Sequence, residues 1–138
     1  VRPPEAGQTP FSWRGRTGEM VGALPADVEM HAKPVGKGYV RLAETAAHPW
    51  GSGEGAIVKA HEFHYSTLAN ADPALAYAWR VERGEGTDGR RDGIVHRNVL
   101  AQYSHQRNAG GNDWVRRFVG HVARVKAARA GAAPAVAS

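Results

Sequence analysis

Gly55-Ala-Ile-Val-Lys-Ala-His-Glu-Phe-His-Tyr-Ser66 is the stretch from which the fold reads outward. Ile57, Val58, Phe63 and Tyr65 are strand formers, and Asn70-Ala-Asp-Pro73 breaks the chain soon after. Together they predict a strand over 56–66. Side chains alternate along a strand, so His61 and His64 point to opposite faces. Glu62, His64 and Ser66 are polar groups in an apolar stretch, and such groups require partners when buried. Either they are structural residues satisfied by hydrogen bonds, or they stand beside a reaction site. A metal reading fails on spacing, because zinc-protease histidines are four apart on a helix and these are three apart. No metal ligand is assigned.

Upstream, Gly38–Thr45 alternates, with Tyr39, Arg41 and Ala43 against Val40, Leu42 and Glu44, and reads as a half-buried strand. Met20–Leu24 is a short apolar run ending at Pro25 and predicts a buried strand. Residues 1–17 read as an irregular lead-in. Downstream, Tyr77, Trp79 and Val81 recur at period two within Leu75–Arg83, a further strand. Gly84–Gly89 carries Glu85 and Asp88 and lacks the Gly-Lys-Ser/Thr ending of a phosphate loop, so it reads as a hairpin turn. Ile94–Tyr103 reads as one more buried strand, leading to Ser104-His105. Asn112 and Asp113 have N-cap chemistry, and Trp114, Val115, Phe118, Val119, Val122 and Val125 then follow at helical spacing. Residues 127–138 form an Ala-rich tail that frays. The main body is therefore 18–126, strands first and one helix last, a set with too few helices to cover both faces of a parallel sheet.

The 138 residues suffice for one domain, and 42% of them are hydrophobic. There is no apolar run of about 18 residues, so no membrane-crossing helix is expected. The formal net charge of +5 comes from scattered basic residues, with Arg90-Arg91 and Arg116-Arg117 the only adjacent pairs, which argues against nucleic-acid binding. The cysteine count is zero, so the chain holds neither a disulfide nor a thiol nucleophile. The first residue is Val1, which points to a processed chain or a fragment. Among the remaining polar groups, His105 follows an apolar run, and a histidine past a strand end is a candidate general base. From spacing alone, the reading as a loop histidine is favoured. No Gly-x-Ser-x-Gly elbow is present, which argues against a serine triad.

Glu19-Met-Val-Gly-Ala-Leu-Pro25, Gly36-Lys-Gly-Tyr-Val40, His61-Glu-Phe-His-Tyr-Ser66, Asp92-Gly-Ile94 and Asn98-Val-Leu-Ala-Gln-Tyr-Ser-His105 occur in the order seen in one family. Over about 18–120 the chain resembles the C-terminal part of the cobyrinic acid a,c-diamide synthases. The resemblance implies an α/β fold, namely the C-terminal half of a class I glutamine amidotransferase-like domain. It implies that His105 is the histidine activating a cysteine nucleophile, with His64, Glu62 and Tyr103 as support around the site. Substrate-binding residues are not identified by it. The implied reaction is ATP-dependent, glutamine-hydrolysing amidation of the a and c acetate side chains of cobyrinate or a related tetrapyrrole.

ATP and Mg2+ are implied for the parent enzyme at sites outside this chain, with none bound by the fragment itself. The implied partners are an N-terminal ATP-binding domain, the nucleophile-bearing half, glutamine, and a corrinoid or sirohaem-type tetrapyrrole. The lack of cysteine fits a cytoplasmic setting, neither membrane nor nucleic acid is expected as a partner, and a homodimer stays open. The family's Cys-Gly-Gly turn and P-loop have no match here, and Arg107 stands where class I triads often carry Glu. The chain alone is accordingly expected to be inactive. Two alternatives remain: a sirohaem-amidating relative, and a non-catalytic module binding tetrapyrrole carboxylates through Arg80, Arg90, Arg91 or Arg97.

Overall fold

The computed structural model describes residues 10–132, with ten strands followed by one helix. β1 (Pro10–Trp13), β2 (Arg16–Glu19), β3 (Asp27–Met30) and β6 (Ser66–Ala69) form a four-stranded sheet in the order β2-β1-β3-β6. β4 (Gly36–Glu44), β5 (Ile57–His64), β7 (Ala76–Arg83), β8 (Arg91–His96), β9 (Val99–Ala101) and β10 (Ser104–His105) form a six-stranded sheet in the order β10-β5-β4-β7-β8-β9. Helix α1 spans Trp114–Ala132. The fold is thus a strand-rich α/β arrangement with a single helix at the end.

The large sheet rolls back on itself. β9 pairs with β8 at one edge and β10 pairs with β5 at the other, yet Ala101 and Ser104 are three residues apart. In a flat sheet those outer strands would stand five spacings, roughly 24 Å, apart. Three residues of chain reach at most about 11 Å. The two edges must therefore curl together, and residues 99–105 close the roll. A register shift in β4 between Arg41 and Leu42 increases the local twist.

β5 carries the clearest pattern in the molecule. Val58, Ala60, Glu62 and His64 are buried, while Ile57, Lys59, His61 and Phe63 are exposed. Val40, Leu42, Val58, Ala60, Ala78 and Trp79 make the core, with Val81, Val95 and Leu100 packed on it. Trp79 is only 1% exposed. Its indole Nε1 donates to Gln102 Oε1 at 2.9 Å, and its ring meets His48 edge-on at 4.7 Å. Gly93 makes room for it. A Cβ there would stand 2.6 Å from Trp79 Cδ1, and the glycine's φ of +70° disfavours a side chain as well.

Four expectations need correction. Residues 10–19 form a β-hairpin instead of continuing the irregular lead-in; Arg14 and Gly15 both have positive φ, the geometry of a tight two-residue turn. Residues 1–9 of that lead-in lie outside the described residues. Met20–Leu24 is not a strand: it has no pairing partner among the described residues, and Val21 is 90% exposed. Ile94–Tyr103 is not one strand either. Arg97, at φ 53°, turns the chain between β8 and β9, which then pair with each other. Finally, α1 continues to Ala132, through the first part of the Ala-rich tail, and 133–138 lie outside the described residues.

The helix also differs from its sequence reading in how it is used. Asp113 precedes the first helical residue, and its carbonyl accepts the Arg117 N–H at 3.3 Å. Its carboxylate, however, pairs with Arg116 and Arg117, while Asn108 Oδ1 accepts the Val115 N–H. No helix residue is fully buried. Trp50 touches Phe118 and His121, yet Val115, Phe118, Val119 and Val122 all remain exposed. Among the described residues no helix is long and apolar enough to cross a membrane.

Buried carboxylates and an exposed histidine row

Three carboxylates are buried within the sheets, and among the described residues each collects N–H or O–H donors instead of a Lys or Arg partner. Glu44 accepts from Ser52 N, Ser52 Oγ and Gly53 N at 3.0, 3.3 and 2.6 Å. Glu62 accepts from the backbone N–H of Glu85 and of Gly86, both at 2.8 Å. Asp92 accepts from Thr87, Tyr103 and Ser104. A carboxylate in a low-dielectric interior is strongly unfavourable unless its lone pairs are taken up. Here loops supply the donors, so the same bonds that solvate the charge fix the loops.

The requirement read from the sequence, that Glu62 and His64 find partners, is met in this way. His64 Nδ1 donates to Ser66 O at 2.9 Å, and the ring stacks on Tyr103 at 3.8 Å and 15°. Tyr103 in turn shares a 2.8 Å hydrogen bond with Ser66 Oγ, and burial pushes its phenol up. His64 Nε2 stands 3.6 Å from Glu62 Oε2 and has no hydrogen-bond partner among the described residues. The imidazole fits because Gly36 lies opposite it: a Cβ on Gly36 would stand 2.2 Å from His64 Nε2. His64, Glu62 and Tyr103 thus form one contiguous buried group.

His105 stands apart from that group. It pairs with His61 in the β10·β5 register, one residue beyond the Ser104↔Glu62 pair. Ser104 and Glu62 point inward, whereas His105 and His61 are exposed. His105 is therefore neither a loop histidine nor a residue past a strand end, but an edge-strand residue on the outer face. The His61 and His105 rings lie 6.4 Å apart, and Tyr39 meets His61 edge-on at 5.8 Å. Tyr39, His61 and His105 make a row across three strands, with Tyr39 79% exposed. Phe63 and Tyr65 extend the exposed aromatic surface beside it.

The glycine loop and the candidate arginines take other roles. The backbone N–H groups of Glu85 and Gly86, in the glycine loop, are spent on Glu62. They are not free to cradle a nucleotide phosphate. Among the arginines considered for carboxylate binding, Arg80 leans to Glu82, and Arg91 pairs with Asp88 and lies over the Tyr77 ring. Arg90 and Arg97 are exposed. Asp92, Ser104 and Glu44 were not singled out by sequence reasoning as site residues. Asp92 follows Arg90-Arg91 and precedes Gly93-Ile94, so nothing in its local sequence marks it as a buried charge.

His48 gives a pH prediction. Burial pushes its imidazole below the ordinary value of 6.5; Glu44 raises it in opposition, and Arg117 lowers it further. Its neutral ring packs on Trp79 and Trp50, and Trp50 N donates to its Nδ1 at 3.2 Å. A depressed folded pKa means that the unfolded chain binds the proton first. The stability from this group is thus complete above the unfolded value and is lost as pH falls through the folded one. Urea midpoints should decline from about pH 7 to about pH 5, and His48→Gln should flatten that decline. The lowered carboxylates Asp88 and Asp113 act in a separate window, below roughly pH 4. An unchanged slope in the variant would remove His48 as the cause.

Residues 7–112 match the CobB/CobQ-like glutamine amidotransferase domain. The chain is similar to a cobyrinate a,c-diamide synthase of Magnetococcus marinus, 40% identical over 102 residues, which are 74% of this chain and 22% of that protein. It is similar to the enzyme of the same name from Halobacterium salinarum, 42% identical over 91 residues, or 66% of this chain and 20% of the relative. A hydrogenobyrinate a,c-diamide synthase of Mycobacterium tuberculosis is 42% identical over 69 residues, or 50% of this chain and 15% of the relative. The chain thus spans about a fifth of the length of these two cobyrinate a,c-diamide synthases.

Proposed function

The chain belongs to the CobB/CobQ-like glutamine amidotransferase domain family, and from that premise we propose that it is the histidine-bearing segment of a cytoplasmic a,c-diamide synthase acting on cobyrinate or a closely related tetrapyrrole. The observation that carries this is the position of His105 within the matched span. It is held on an edge strand with its imidazole on the open face, next to His61. An imidazole there is accessible to a group brought by another part of the protein, which an imidazole in the buried cluster is not.

In this reading the nucleophile is a cysteine supplied from outside the chain, since the sequence has none. His105 takes the thiol proton, and the thiolate attacks the amide carbon of glutamine. The protonated imidazole then gives its proton to the leaving nitrogen as the carbon–nitrogen bond breaks and ammonia departs. Water hydrolyses the resulting thioester to glutamate. The ammonia becomes the amide nitrogen at the acetate carboxylates, whose activation by ATP and Mg2+ takes place elsewhere in the complete synthase. His64, Glu62 and Tyr103 support the site from behind by keeping β5, β10 and the 84–86 loop in register.

The test has two parts. The coding sequence should continue upstream of Val1 into a Cys-Gly-Gly turn and a phosphate loop. The complete polypeptide, given glutamine, MgATP and cobyrinate, should convert two carboxylates to amides with release of glutamate, read by mass spectrometry. Glutamate release without amide formation on cobyrinate, but with amidation of a sirohaem-type substrate, would move the reading to the sirohaem branch. Absence of glutamate release would overturn it.

A further inference from the structure

We propose that Asp92 is the residue that positions His105; this rests on reading His105 as the activating imidazole. Asp92 sits on β8 and is fully buried. Four donors converge on it. Thr87 Oγ1 and Tyr103 N donate to Oδ1 at 3.0 and 3.1 Å, and Ser104 N and Ser104 Oγ donate to Oδ2 at 3.0 and 2.5 Å. Three of the four come from the two residues immediately before His105. Among the described residues no Lys or Arg pairs with this carboxylate.

The need for such an anchor follows from the topology. β10 is two residues long and, among the described residues, has a partner on one side only, β5. Residues 102 and 103 belong to no strand while the chain crosses from the β8 edge to the β5 edge. A strand that short has too few ladder bonds to fix its own orientation. Asp92 fixes it from within. By holding both the N–H and the hydroxyl of Ser104, the carboxylate keeps that side chain inward. Alternation then directs His105 outward, beside His61. A neutral acceptor of the same shape cannot do this: an amide has one accepting oxygen, and its NH2 would face donors.

Asp92→Asn tests this in two ways. In the 138-residue chain, proton NMR should detect contact between the His61 and His105 rings. The variant should lose that contact while keeping the one between Tyr39 and His61. In the complete synthase, glutamine-driven amidation is compared with amidation driven by added ammonia, which bypasses glutamine hydrolysis. A displaced imidazole should lower the glutamine-driven kcat by about tenfold or more, with KM for glutamine and the ammonia-driven rate held within about twofold. A parallel loss of both rates would mean a merely structural role and would overturn the proposal, as would a glutamine-driven kcat within about twofold of wild type.

His105→Ala separates the placement of the imidazole from its chemistry. If it leaves glutamine hydrolysis intact, the reading of His105 falls, while the ring contact still decides whether Asp92 places it. Should Asp92→Asn fail to fold, Ser104→Ala removes the hydroxyl donor alone. It should weaken the ring contact and lower the glutamine-driven kcat by about threefold with KM unchanged. No change in either would overturn the proposal.

Discussion

Trp79→Ala is expected to remove about 3–5 kcal/mol of folding stability, the usual range for deleting a buried tryptophan side chain. Domains of this size are stable by only about 5–15 kcal/mol, so the urea midpoint should fall by roughly a fifth or more. The loss has three parts in the structure. The core around Leu42 and Ala78 loses its largest side chain. Gln102 Oε1 loses its donor. Gly93, which has no side chain in order to let the indole pass, is left facing a void that it cannot fill. Trp79→Phe should recover part of the packing but not the hydrogen bond. Chemical denaturation followed by circular dichroism measures both variants. A loss below about 1.5 kcal/mol for the alanine variant would show that the roll closes without its central side chain.

His105→Ala should have the opposite profile, with little effect on folding and a large one on chemistry. The residue is exposed on an edge strand, so stability should stay within about 0.5 kcal/mol of wild type. In the complete synthase, removal of the proton acceptor should lower glutamine hydrolysis by about 10²–10⁴-fold. The ammonia-driven reaction should persist, because His105 acts before ammonia is released. A glutamine-driven rate within about tenfold of wild type would exclude the imidazole as the activating base. His61→Ala is the control on the neighbouring ring and should be much milder.

Much of this was legible from the sequence because local physics and final structure agree. The strand-forming residues of 56–66 do make a strand, β5, although which of its side chains are buried does not follow hydropathy: Glu62 and His64 are inside, Ile57 and Phe63 outside. The strand at Ala76–Arg83 and the helix start at Trp114 also follow from spacing. The need of Glu62 and His64 for partners was readable, although the partners, in the 84–86 loop and at Ser66, lie in other segments. The missed features are of two kinds. Arg14-Gly15 and Arg97-Asn98 are turns whose signals were present but outweighed by the apolar or irregular context around them. Met20–Leu24 shows the reverse error: apolar composition alone does not make a strand when no partner strand is at hand.

The separation of the site residues was legible only in part. Their odd spacing puts His61 and His64 on opposite faces, and the structure does so. Nothing local, however, reveals that Ser104-His105 pairs with Glu62-His61, because that register is set by closure of the roll. The resemblance marked His105 and His64, and gave no role to His61. Asp92, whose donors lie up to twelve residues away, is visible only once the chain is folded.

Synthesis of this chain leaves its sheet edges open until late. Translation runs from the N-terminus, and segments begin to fold as they emerge. β4, β5, β7 and β8 can all assemble before residues 99–105 exist outside the ribosome. Until then β5 and β8 each present an unpaired row of N–H and C=O groups, which other nascent chains can join. The last two strands to appear seal these edges, β9 covering β8 and β10 covering β5. A pause in translation, or a premature stop, between β8 and β10 should therefore be far more harmful to solubility than one after the helix has begun.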